Sequence, residues 1–116
     1  MIVPLVIGRR EAFPPEVMAQ YRHPLATPHE RQASALLPGQ ITRASDWLRH
    51  LWDQRAALQD KPTLIFWGMK DLGFREKELR VWEQLFTHKK VIRLPDVGHF
   101  PHEEAAERLI DELKVR

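Results

Sequence analysis

Two residues in this chain have the types and the placement to act as an acid and a base. Asp71 stands three residues after a short apolar run, TLIFWG (63–68), that ends in glycine. His99 stands four residues after a second run, VIRLP (91–95), that leads into Asp96-Val97-Gly98. If the two runs are neighbouring parallel strands, both loops open at one sheet edge, where open α/β sheets collect their functional groups. The carboxylate then reaches one imidazole nitrogen. That contact fixes the tautomer and stabilises the imidazolium formed when the other nitrogen takes a proton. A base oriented by an acid is two parts of a nucleophilic triad. Each residue also has an ordinary reading. Asp71 in Lys-Asp-Leu-Gly is a turn former, and His99 ahead of Pro101 is a polar cap on the next helix.

The elements around the pair follow from punctuation and periodicity. Asp60-Lys61-Pro62 breaks a helix, and TLIFWG is then nearly all apolar, as a parallel strand covered on both faces requires. MKDLGF (69–74) reads as a loop and 75–87 as a helix with Leu79, Trp82, Leu85 and Phe86 on its buried side. The last helix, 102–115, is expected to bury Ala106, Leu109, Ile110 and Leu113, with Glu103 and Glu104 in its first turn where the helix dipole favours acids. Strand, helix, strand, helix is a βαβ unit extended by one helix, hence parallel strands and an α/β class.

Before Pro62 the chain reads as helices. FPPEVMAQYR (13–22) is a short one with prolines at its start. TPHERQASALL (27–37) is a second, with Thr27 as N-cap, Glu30 closing a capping box and Pro38-Gly39 as the stop. From Ile41 to Leu58 an apolar stripe recurs at helical spacing through Ile41, Ala44, Trp47, Leu48, Leu51 and Trp52, and it is expected to pack.

Composition excludes several alternatives. The chain has 116 residues, 43% of them hydrophobic and 29% charged, the profile of one globular domain at most. Its net charge of +2 comes from basic residues spread among acids, so no nucleic-acid footprint is expected. No apolar run approaches the ~20 residues of a membrane span, and MIVPLVIGRR has its charges on the wrong side for a signal peptide. Cysteine is absent, which excludes disulfides and thiolate chemistry and fits a cytoplasmic protein. HFPHE matches neither H-E-x-x-H nor H-x-x-E-H, and Pro101 keeps His99 and His102 off one regular helical turn. Neither a metal nor a cofactor is expected.

PTLIFWGMKD, then a helix, then VIRLPDVGHFPHEEAAERLIDEL resembles the C-terminal end of α/β-hydrolases. There a W-G-x-x-D-like turn carries the triad acid and a G-H-F turn the triad histidine. The resemblance implies those roles for Asp71 and His99, in the family's order of acid before histidine. Upstream, PPEVMAQYRHPLATPHERQASALLPGQI and the helix ending in WLRHLW resemble the region where a haloalkane-dehalogenase-like cap rejoins the core. The branch also includes ester-, epoxide- and β-lactone-cleaving enzymes. The likeness implies a C-terminal fragment of the fold, with 1–39 the end of the helical cap and 40–116 the C-terminal part of the core. It further implies a small apolar organic substrate, flanked by Leu72, Phe74 and Phe100, which serve equally well as packing residues.

The family's nucleophile elbow, G-x-S-x-G or its aspartate form, does not occur in the chain. The isolated chain is therefore expected to be inactive, and its first strand to have an exposed edge that invites self-association. The alternative is a non-catalytic remnant that binds a partner through that edge.

Overall fold

The computed structural model describes residues 3–114. Helices α1 (Val3–Val6), α2 (Pro15–Arg22), α3 (Gln32–Arg43) and α4 (Ser45–Asp53) precede strand β1 (Thr63–Gly68). Then come α5 (Glu76–Leu85), β2 (Lys89–Leu94), α6 (Pro101–Glu104) and α7 (Ala106–Lys114). Contacts divide the chain into two compact units. One is the chain up to Pro14 together with everything from Leu58, and the other is Pro15–Ala57. The stretch before Pro14 packs within the strand unit.

In the strand unit β1 and β2 pair in parallel, from Thr63 opposite Lys89 to Gly68 opposite Leu94. The crossover is α5, as a parallel pair requires. The strands end level, and the pairing runs on into the loops. Met69 N–H donates to the Leu94 carbonyl at 2.9 Å and Lys70 N–H to the Val97 carbonyl at 2.9 Å. Ile92, Leu94 and Val97 form the core, with Leu64, Phe66, Ala105 and Leu109 packed against them. Leu79 from α5 is fully buried. Trp82, Ile110 and Leu113, expected inside, are exposed instead.

Glycine is required where backbones touch. A Cβ on Gly98 would collide with the Val6 carbonyl and lie 2.6 Å from the Gly8 nitrogen. A Cβ on Gly68 would collide with the Gly98 carbonyl. No described glycine has a positive φ, so close approach and not turn conformation selects these residues.

The last helix breaks at Ala105 (φ −146°, ψ 37°) into α6 and α7. Arg9 Nη1 donates to the Glu104 carbonyl at 2.8 Å, the acceptor that an unbroken helix would offer to the N–H four residues on.

In the other unit the Thr27–Glu30 capping box forms. Thr27 N–H donates to Glu30 Oε2 at 2.7 Å, and Glu30 N–H to Thr27 Oγ1 at 3.3 Å. The Thr27 amide, then its hydroxyl, holds the Glu30 carboxyl below its ordinary range. The box closes a turn, and regular helix begins only at Gln32. Pro38-Gly39 does not stop α3, which runs on to Arg43. Gly39 lacks the left-handed conformation of a glycine stop. The helix ends at Ala44, whose N–H bonds the Gln40 carbonyl at 2.9 Å. The long helix expected over 41–58 is thus the end of α3, then α4, then a 3-10 turn at Arg55–Leu58. Of its stripe, Ile41, Trp47, Leu48 and Leu51 are exposed, Trp47 at 61%.

Candidate active site

The loop after β1 turns at once, with Asp71 N–H donating to the Gly68 carbonyl at 3.2 Å. The Asp71 carboxylate then divides its work. Oδ1 accepts the N–H groups of Gly73 (2.8 Å) and Phe74 (3.1 Å), closing the turn. Oδ2 lies 2.8 Å from His99 Nδ1. One oxygen closes the turn and the other faces the imidazole. The turn pins the carboxylate in a single orientation, and its side chain is only 9% exposed.

His99 enters from the other loop. Its N–H donates to the Val6 carbonyl at 2.8 Å, which anchors the residue to α1. The imidazole stacks on Phe74, with centroids 5.5 Å apart and planes 10° from parallel. Phe100 meets it edge to face at 5.2 Å. With the carboxylate ionised, Nδ1 donates to Asp71 and Nε2 keeps its lone pair. Nε2 has no hydrogen-bond partner among the described residues, and the side chain is 36% exposed. A ring held at one nitrogen and open at the other is suited to take a proton from a group brought to it.

The structure brings Asp71, His99, Phe74 and Phe100 together. Leu72 points to solvent at 62% exposure. His102 lies beside Phe100, at 5.9 Å between centroids. Among the described residues no cluster of three or more His, Cys, Asp or Glu is set to hold a metal. No described helix is long and apolar enough to cross a membrane.

One residue that periodicity places as an ordinary first-turn acid is buried. Glu104 is 2% exposed, and its carboxylate accepts backbone N–H groups of Gly8, Arg9, Gly98 and Phe100. An acid three places after a helix-starting proline gives no sign of this. The partners at Gly8 and Arg9 lie more than ninety residues away in sequence.

The model of the α/β hydrolase fold family matches residues 17–106. The chain belongs to the α/β-hydrolase fold family. Among its curated relatives is haloalkane dehalogenase 2 of Mycobacterium tuberculosis and of Mycobacterium bovis, 38% identical over 96 residues. That alignment covers 80% of this chain and 33% of the relative. A cis-3-alkyl-4-alkyloxetan-2-one decarboxylase of Shewanella oneidensis is 36% identical over 53 residues, 46% of this chain and 17% of the relative. Lipase 1 of Psychrobacter immobilis is 33% identical over 54 residues, 47% of this chain and 17% of the relative. The α/β-hydrolase chain described here thus spans about a third of the length of the dehalogenases it matches. Its two parallel strands with a crossover helix are a C-terminal portion of that fold.

Proposed function

We propose that this chain supplies the acid and the base of a haloalkane-dehalogenase-like hydrolase, Asp71 and His99 respectively. The observation that carries the reading is the 2.8 Å contact from Asp71 Oδ2 to His99 Nδ1, at the level ends of two parallel strands. The nucleophile comes from a part of the full-length protein outside these residues, because no G-x-S-x-G or G-x-D-x-G occurs among them. In the proposed reaction an elbow aspartate attacks the halogen-bearing carbon, and the halide leaves with the bonding pair. His99 Nε2 then takes a proton from water as that water adds to the alkyl-enzyme ester. The imidazolium is stabilised by Asp71 across Nδ1–H, and as the adduct collapses it returns that proton to the departing alkoxide, releasing the alcohol and the neutral base. Phe74 and Phe100, against the ring, and Leu72 in the same loop would flank a small apolar organic substrate. Residues 1–39 belong, on this proposal, to the end of the cap, and 40–116 to the core. A chain without cysteine supports a cytoplasmic location.

The likeness to the oxetanone decarboxylase and the lipase supports a second reading with the same pair. There an elbow serine or aspartate acts on a β-lactone, ester or epoxide. The identity of the nucleophile separates the two.

The test is complementation. The elbow-bearing N-terminal part of the M. tuberculosis dehalogenase, joined ahead of this chain, is expected to release halide from a short haloalkane. The isolated chain should show no turnover above its His99→Ala variant. A folded chimera whose halide release is unaffected by His99→Ala would sink the assignment.

Among the described residues β1 and β2 pair only with each other, and each leaves one edge unpaired. Such edges template association. The isolated chain is therefore expected to self-associate as its concentration rises in sedimentation velocity runs. One monomer boundary at every concentration, with cooperative unfolding, would count against it.

A further inference from the structure

We infer that Glu104 is the positioning residue of the acid–histidine pair, one buried carboxylate that clamps both sides of His99 and ties that loop to the N-terminal segment. The inference rests on the reading of Asp71 and His99 as acid and base.

The hydrogen bonds carry it. Glu104 Oε2 accepts Gly8 N–H at 2.8 Å, Arg9 N–H at 2.6 Å and Gly98 N–H at 3.0 Å. Oε1 accepts Phe100 N–H at 3.3 Å. Gly98 and Phe100 are the residues on either side of His99. The N–H between them, that of His99, goes to the Val6 carbonyl. Three consecutive amides of the histidine loop are therefore all taken. The carboxylate that takes two of them also takes the two amides that follow closely after Val6. Glu104 sets both partners of the loop at once.

The cost of burial says why the group is an acid. A carboxylate removed from water is strongly unfavourable unless it is well hydrogen-bonded. Here it is 2% exposed and accepts four N–H groups. Bonds to a charged acceptor are roughly twice as strong as neutral ones. A short neutral side chain would leave the Gly98 and Phe100 amides without their acceptor. The loop would then adjust to find one, and the Nδ1 to Oδ2 contact depends on where that loop lies.

The experiment is ¹⁵N NMR of the imidazoles in the intact chain above the pH of histidine titration, which needs neither nucleophile nor substrate. Wild type is expected to show His99 as one tautomer, protonated on Nδ1, with a hydrogen-bonded Nδ1–H resonance. Asp71→Asn, the control, should abolish that signature. Glu104→Ala should also lose the Nδ1–H resonance and move His99 to a mixture of tautomers, and Glu104→Gln should weaken that resonance. Glu104→Gln keeps the shape and one acceptor oxygen, so it should retain more of the signal. A purely structural role would lower the melting temperature and leave the tautomer of the folded protein unchanged. A folded Glu104→Gln and Glu104→Ala with the wild-type signature overturns the inference. Loss of the fold in both also overturns it, since Glu104 would then be a determinant of the fold as a whole. A wild-type spectrum without the fixed tautomer would instead sink the acid–base pair itself.

Discussion

Asp71→Asn in the complemented hydrolase should lower kcat by roughly 10³ to 10⁴-fold with little change in KM, the scale seen when a triad acid is made neutral. The amide would present an N–H toward His99 Nδ1, which must then carry the lone pair. The proton moves to Nε2, and the nitrogen that faces the reaction can no longer accept one. The Oδ1 side of the residue, which closes the turn through Gly73 and Phe74 at 2.8 and 3.1 Å, keeps its acceptor, so the fold should survive. His99→Ala should be as severe in turnover, but its transient separates the two chemistries. An aspartate nucleophile attacks carbon without help from histidine, so the variant should release about one halide per enzyme and then stall as the ester. A serine nucleophile needs the base in its first step, so no burst and no adduct should form. Rapid-quench halide assay with intact-protein mass spectrometry reads both. Steady turnover in either variant would remove the pair from the mechanism.

The second large effect is on stability. Gly98→Ala should destabilise the chain by about 3 kcal/mol, the upper part of the range for overpacking. The new methyl would meet the Val6 carbonyl and lie 2.6 Å from the Gly8 nitrogen and 3.0 Å from the Ile7 carbonyl carbon. These are backbone atoms, held by the His99 N–H to Val6 bond and by Glu104, so no side chain can swing aside. The melting temperature should fall by roughly 10–20 °C at that size. Gly39→Ala is the contrast. Nothing lies within 4 Å of its Cβ position, and the residue is inside α3, so alanine should stabilise by roughly 0.5–1 kcal/mol. Urea midpoints of the three proteins check both signs. A Gly98→Ala chain within about 1 kcal/mol of wild type would mean that the two segments separate easily.

The sequence by itself determined the parts of this protein that are local. An apolar run bounded by Pro62 and Gly68 makes β1 at Thr63–Gly68, and the run after His88 makes β2. Their parallel pairing follows from the helix between them. With both strands ending level, Asp71 and His99 meet at 2.8 Å, and that was legible because each follows its own strand by only a few residues. What only the tertiary structure decided depends on contacts across the whole chain. Nothing near Gly8 or Arg9 announces that a carboxylate from Glu104 will take their amides. Nothing in α7 says which apolar positions lie over the strands and which, like Leu113, face water. The Pro38-Gly39 stop failed because a breaker acts only if the backbone takes the conformation it permits, and Gly39 stays helical within α3. Periodicity fixes which side chains share a face, and the rest of the fold fixes what that face meets.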